Sequence, residues 1–167
     1  MVVIHISTTA PVNPPSATPV LTHDELWAAL VAKARHPEDF VPVIEKSRII
    51  REDETGLTRG VLFKGDMGKE MGGEVEEVVR YVGRMKIDFS VPATGQFVSN
   101  IISHSATAAG PGDMFLTFTF EFPHPDVAEG SQEARTLEEK YRAMSRQVVP
   151  HTVDVARRLK GKGRLVV

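Results

Sequence analysis

Residues 111–122 read PGDMFLTFTFEF. After the Pro-Gly turn, Met114, Leu116, Phe118, Phe120 and Phe122 take every second position. Alternate side chains of a strand point to opposite faces, so the spacing predicts a strand with five large apolar groups on one side. Such a face must be covered, and the rest of the chain supplies the cover.

Residues 42–122 read as strands throughout. VIEKSRII and LTRGVLFKG flank an EDETG turn and predict a hairpin. GGEVEEVVRYV and MKIDFSV flank Gly83-Arg84 and predict a second, with Met85, Ile87, Phe89 and Val91 on one face. QFVSNIISHS pairs with MFLTFTFEF across ATAAGPGD. With the N-terminal VVIHIS, this gives about seven antiparallel strands. TTAPVNPPSATPV follows that first strand and reads as an extended loop, because its four prolines exclude a central strand or helix.

Two helical regions flank the sheet-forming segment. In LTHDELWAALVAKARHPEDF, Thr22 with Glu25 predicts a capping box and Leu21 with Leu26 a hydrophobic staple. Leu26, Trp27, Leu30, Val31 and Ala34 then recur at helical spacing. His36-Pro37 stops that helix, and Pro37 opens a short second one, PEDFV. After the loop PHPDVAEGSQEAR, Thr136 with Glu139 predicts a capping box that opens a long C-terminal helix. Its apolar stripe is Leu137, Tyr141, Met144, Val148, His151, Thr152, Val155 and Leu159, and Pro150 predicts a kink.

Composition narrows the function classes. The 167 residues fit one domain, 1–167, and 41% hydrophobic with 25% charged residues is ordinary for a globular chain. Twenty basic against 22 acidic residues leave a net charge of −2, which provides no general drive toward nucleic acid or anionic membrane. Arg157, Arg158, Lys160, Lys162 and Arg164 form one local basic tail. It reads as a solvated helix end suited to the helix dipole, the other reading being a contact for a partner. The absence of cysteine excludes disulfides and thiol chemistry. No apolar run approaches the roughly 20 residues that span a bilayer. The N-terminus lacks a signal-peptide pattern, so a cytoplasmic setting is expected. The six histidines form no metal-binding spacing, and GDMGKEMGG reads as a mobile loop because it lacks the phosphate-loop pattern. There is no dinucleotide fingerprint and no G-x-S-x-G elbow, so neither metal nor cofactor is expected.

The fold class that emerges is α+β: a curved antiparallel sheet covered by a long C-terminal helix, with two short helices after the first strand. A strongly twisted sheet that curls round one helix leaves space between them for a small molecule. LTHDELWAALVAKARHPEDFVPVIEKSRI, LTRGVLF, FVSNIIS and MFLTFTFEF are similar to the AtaL-like group of the START/Bet v 1-like (SRPBCC, helix-grip) superfamily. That resemblance spans roughly residues 20 to 160 and implies an apolar cavity between sheet and helix. The superfamily includes lipid and hormone carriers, plant defence proteins, and polyketide cyclases and aromatases. The AtaL-like group is associated with fungal secondary metabolism and has no agreed reaction.

Candidate chemistry follows from polar side chains at apolar positions. His151 lies in the helix stripe directly after Pro150, where imidazole suits proton transfer; it also reads as an inert helix-edge residue. Tyr141 on the same stripe can bind a carbonyl or protonate an enolate, or simply pack. Arg59 shares a strand face with Leu57, Val61 and Phe63 and needs an anion, either a ligand or a strand carboxylate such as Glu77. Asn100 is positioned either to orient a ligand carbonyl or to pair with backbone, and Tyr81 is a further polar handle. Phe63, Phe89, Phe118 and Phe120 are the expected cavity wall on the sheet, with Met144 and Val148 on the helix. Two functions fit: binding of a polyketide-, terpenoid- or lipid-like molecule, or cofactor-independent cyclisation, dehydration or isomerisation in the same cavity. In the second, His151 moves a proton while Arg59, Tyr141 or Asn100 holds an oxyanion.

Overall fold

The computed structural model describes residues 1–65 and 72–165, so most of the GDMGKEMGG segment lies outside the described residues. Seven strands form one antiparallel sheet: β1 Val2–Pro11, β2 Ile44–Asp53, β3 Gly56–Phe63, β4 Val75–Val82, β5 Lys86–Val91, β6 Gln96–His104 and β7 Met114–His124. Their order is β1-β7-β6-β5-β4-β3-β2, so every consecutive pair from β2 to β7 is adjacent and β1 closes the far edge against β7. Helix α1 is His23–Arg35 and helix α2 is Gln132–Gly161.

The strand that opens the sequence argument is buried as its alternation requires. Met114, Leu116, Phe118, Phe120 and Phe122 are all buried, while Glu121 on the opposite face is exposed. Register carries this inner face across the sheet. Ile6, Phe120, Val98, Phe89, Val79 and Leu57 form one cross-strand row, and Thr8, Phe118, Asn100, Ile87 and Tyr81 form the next. Helix α2 packs on β1 and β7, and α1 packs against α2 and over β2 and β6. Two helices thus share the cover. Where α2 meets β1, the small and fully buried Ser145 lies 2.7 Å from the Thr8 hydroxyl.

Local signals explain the element ends. The Thr22–Glu25 capping box is formed, with the Thr22 hydroxyl accepting from Glu25 N–H at 3.2 Å and the Glu25 carboxylate accepting from Thr22 N–H at 2.8 Å. Leu21 and Leu26 are buried beside it. The Gly83-Arg84 hairpin turn holds both residues at positive φ, 55° and 52°. Left-handed backbone at both central positions is the type I′ geometry, whose twist matches that of the flanking strands. Gly56 is indispensable for a different reason: its φ is 153°, and a Cβ there would stand 2.0 Å from the Val79 carbonyl oxygen.

Several expectations are corrected. Strand β1 runs on through Thr8 and Thr9 to Pro11, paired with Phe115; it is an edge strand, where a missing N–H costs no ladder bond. The rest of the proline-rich segment is pinned by Asn13, whose amide donates to Leu21 and Pro111 carbonyls and accepts from Leu21 N–H, each at 2.8 Å. The second short helix is a single 3-10 turn, Pro37–Asp39. Helix α2 begins earlier than predicted. Ser131 is its N-cap, accepting from Ala134 N–H, while Thr136 sits inside the helix and donates to the Gln132 carbonyl. Its buried line runs through Ser145, Val149, Thr152, Val153 and Ala156, which leaves Met144 exposed. Met85 lies in the β4–β5 turn and is also exposed.

The basic tail is only partly solvated. Arg157 donates to the Val12 and Pro19 carbonyls, and Lys160 donates to the Val20 carbonyl and the Glu25 carboxylate, both at 2.7 Å. These cations clamp the proline-rich segment and the start of α1 onto α2.

Candidate ligand site on the inner face of the sheet

The inner face contains a hydrogen-bonded polar cluster within aromatic surroundings. Its centre is Lys33, on α1 and only 7% exposed. Its ammonium donates to Asn100 Oδ1 at 2.7 Å. It also stands over two rings, 4.3 Å from the Phe118 centroid and 5.2 Å from that of Phe89. Sequence reasoning missed Lys33 because lysine counts as polar in a helical stripe. The signal was its spacing, seven residues after Leu26 and three after Leu30, both of which are fully buried.

Arg59 lies beside it, 4% exposed on β3. Two of its nitrogens donate to the same Glu77 carboxylate oxygen, and Nη1 donates to the carbonyls of Lys33 and Ala34 at 3.0 and 2.6 Å. Those carbonyls end α1 without intrahelical partners, so the guanidinium caps the helix as well as neutralising Glu77. The Arg59 carbon also sits 5.3 Å from the Phe89 centroid.

Burial dominates the electrostatics of Lys33. Desolvation disfavours its ammonium and the neighbouring Arg59 adds repulsion, only partly offset by Glu77, so its pKa is pushed down to about 7. Burial likewise raises the Tyr81 phenol above its ordinary value, and Glu52 adds to that shift.

Among the described residues, two buried polar atoms on this face have no partner. Asn100 Nδ2 and the Tyr81 hydroxyl are both buried and make no hydrogen bond. Both residues flank Ile87 in one cross-strand row, so they stand two strands apart, about 10 Å at ordinary strand spacing. Tyr81 meets Trp27 of α1 edge-on, with ring centroids 6.0 Å apart. Val98 lies between buried Phe89 and Phe120 yet is half-buried. Trp27, Val31, Tyr81, Tyr141 and Val148, which pack on the same core, are half-buried as well. These residues mark where the inner face approaches solvent. Two shallow hollows, of about 260 and 430 Å³, lie elsewhere: one along the β2–β4 end at Arg51 and Arg80, the other between Pro19 and Arg158.

The remaining predicted residues are dispersed. Tyr141 is on α2 at the other end of the aromatic row, its ring stacked 4.1 Å from Phe122 and its hydroxyl 3.0 Å from His124 Nε2. Burial raises its pKa. His151 is half-buried further along α2 and is not part of the hydrogen-bonded cluster round Lys33. Phe63 is half-buried at the end of β3, Val148 is half-buried on α2, and Met144 is exposed at 38%. Phe89, Phe118, Asn100 and Arg59 are therefore brought together round Lys33, whereas Tyr141 and His124 form a separate pair.

A seven-stranded curved antiparallel sheet gripping a long C-terminal helix, with short helices after the first strand, is the helix-grip fold. Solved structures agree. The Zhui aromatase/cyclase from Streptomyces superposes with a TM-score of 0.61 at 16% identity, over 95% of this chain and 96% of that one. The structure of Ara h 8.0201 gives 0.57 at 12% identity, over 92% of this chain and 97% of that one. The di-domain ARO/CYC StfQ from the steffimycin biosynthetic pathway gives 0.65 at 12% identity, over 98% of this chain and 52% of that one.

Within that fold, the chain belongs to the family described as Acetylaranotin biosynthesis cluster protein L (AtaL), which it matches over residues 6–163. The Aspergillus terreus protein of that description is 22% identical over 164 residues, covering 96% of this chain and 92% of its own length.

Proposed function

We propose that the protein binds a small aromatic or polyketide-like molecule bearing carbonyl or phenolic oxygens, held on the inner face of the sheet beneath α1. The observation that carries this reading is the pair of unpartnered buried groups, Asn100 Nδ2 and the Tyr81 hydroxyl. Leaving a buried donor unsatisfied costs about 1–3 kcal/mol, and an oxygen acceptor from a ligand removes that cost. Phe89, Phe118 and Phe120 supply flat apolar surface next to those donors, the usual make-up of a small-molecule site. Donors carried on strands two apart suit a flat molecule of more than one ring with oxygens at both ends. Secondary metabolism is the context that the family and the aromatase/cyclase likenesses support.

A second reading, cofactor-independent cyclisation, dehydration or isomerisation of the same molecule, is favoured by Lys33 itself. A buried amine that sheds its proton near neutral pH is suited to act as a base toward an acidic C–H, with Asn100 beside it to hold the resulting enolate oxygen. Native mass spectrometry of freshly purified protein, with identification of anything released on denaturation, tests binding first. A panel of aromatic ketones and phenols against their deoxygenated hydrocarbons then tests the polar contacts. At about 100 times Kd a ligand adds about 2.7 kcal/mol, which raises Tm by roughly 5–10 °C in a chain of this size. Oxygenated compounds are expected to outperform hydrocarbons, and Asn100→Ala to abolish the difference. Equal shifts from both classes, or none from either, overturn the reading.

A further inference from the structure

We infer that Lys33 is an imine-forming amine: Nζ, held between Phe89 and Phe118 and next to the unpartnered Asn100 amide, condenses with an aldehyde or ketone carbon of the bound molecule. This rests on the binding reading above and assigns that site a covalent function.

Charge balance is the first argument. The charged groups that face Lys33 are buried Arg59 from β3 and half-buried Glu77 from β4, and these two already neutralise each other. A charged Lys33 would therefore leave one uncompensated positive charge in the interior, whereas a neutral amine leaves the cluster balanced. The depressed basicity of the group follows from the same arrangement. At pH 7 about half of such an amine is unprotonated, against roughly one part in 2,500 for an ordinary lysine. The second argument is what surrounds the nitrogen. Asn100 Oδ1 accepts one N–H, two aromatic rings flank the group, and Lys33 is almost fully shielded from bulk solvent. An imine is hydrolysed by water, so an apolar enclosure favours the condensed form. The third is the polariser: Asn100 carries an unused N–H2 beside the nucleophile, where it can donate to the carbonyl oxygen under attack.

The reaction balances without a further reactant. The amine lone pair forms a C–N bond as the carbonyl π pair moves to oxygen, and a proton passes from nitrogen to that oxygen. The resulting carbinolamine loses its hydroxyl with the remaining amine proton as water, and the nitrogen lone pair closes the C=N bond. The protein has eight lysines. Those described elsewhere are exposed or are held in ion pairs, as Lys86 is by Asp88 and Lys160 by Glu25.

The test uses benzaldehyde with sodium cyanoborohydride at pH 7, which reduces each imine to a stable benzylamine, followed by peptide mass mapping. Benzyl alcohol, the matching compound without a carbonyl, is run in parallel by thermal shift. Labelling at Lys33 at least tenfold faster than at any other mapped lysine, falling steeply below pH 7, is the expected result. Lys33→Met should remove that adduct alone. If that variant fails to fold, the site selectivity in the unaltered protein decides. Stabilisation by benzyl alcohol without a selective Lys33 adduct overturns the imine and leaves the binding site. Neither stabilisation nor adduct overturns both. Labelling spread evenly over surface lysines also overturns the imine.

Discussion

Replacing Lys33 by methionine keeps an unbranched apolar chain of four heavy atoms and removes the terminal amine. In the folded protein the Lys33 pKa is about 7, against about 10.4 in an unfolded chain, so folding expels a proton at any pH between these values. Below pH 7 the lysine is charged in both states and the folded protein bears the full cost of burying it, about 4–5 kcal/mol at 1.36 kcal/mol per unit. Methionine relieves that cost but leaves Asn100 Oδ1 without its donor, a loss of about 1–3 kcal/mol. At pH 6 the variant should accordingly be about 2–3 kcal/mol more stable than the parent. As pH rises above 7 the unfolded lysine binds more protons than the folded one, so the parent gains stability. That gain is about 2–3 kcal/mol between pH 6 and pH 9, which brings the two proteins roughly level. Urea unfolding of both at pH 6, 7, 8 and 9 measures the difference, and contributions from other titrating groups cancel in it. A difference that stays constant across this range refutes the claim that Lys33 gives up its proton on folding.

Arg59→Met removes the cap of α1 and strands Glu77, so it should cost about 3–5 kcal/mol by urea unfolding; Arg59→Met with Glu77→Leu should recover much of it. Phe118→Ala should cost about 3–5 kcal/mol and, if the cavity reading holds, raise affinity for larger aromatic ligands measured by calorimetry. Arg157→Ala frees the Val12 and Pro19 carbonyls from a charged donor, for an expected loss of about 2 kcal/mol and faster proteolysis within residues 12–20. An unchanged cleavage rate would show that Asn13 alone pins that segment.

The sheet was legible because alternation was unbroken where it mattered. In β5 and β7 every inward position is large and apolar, and each hairpin turn is spelled by its residues. Strand β1 was cut short because prolines argue against a strand, yet that argument applies to central positions and β1 is at an edge. Helix α2 was started late because Thr136 and Glu139 have the letters of a capping box, whereas Ser131 caps by the Ser hydroxyl alone. The site was half-readable. Arg59 and Asn100 drew notice as polar residues on apolar strands, and Glu77 was named as a strand carboxylate able to pair with Arg59. Lys33 was hidden because its partner Asn100 lies 67 residues away, a distance that no local pattern spans. His151 and Tyr141 were singled out for position on a helix stripe. Helix α2 packs on β1, β7 and α1, and the described hydrogen bonds of the Lys33 cluster include neither residue.

The order β1-β7-β6 has a consequence for a chain made from its N-terminus onward. Strands β2 to β6 each find their neighbour as soon as the next hairpin emerges, but β1 pairs only with β7, more than a hundred residues later. Until then its backbone groups and the free edge of β6 are both open to pairing with other chains. Helix α2, which packs on β1 and β7, emerges later still. A ribosome stalled before Met114 therefore holds a partial sheet whose first strand has nowhere to dock, and residues 114–161 supply both the missing strand and its cover.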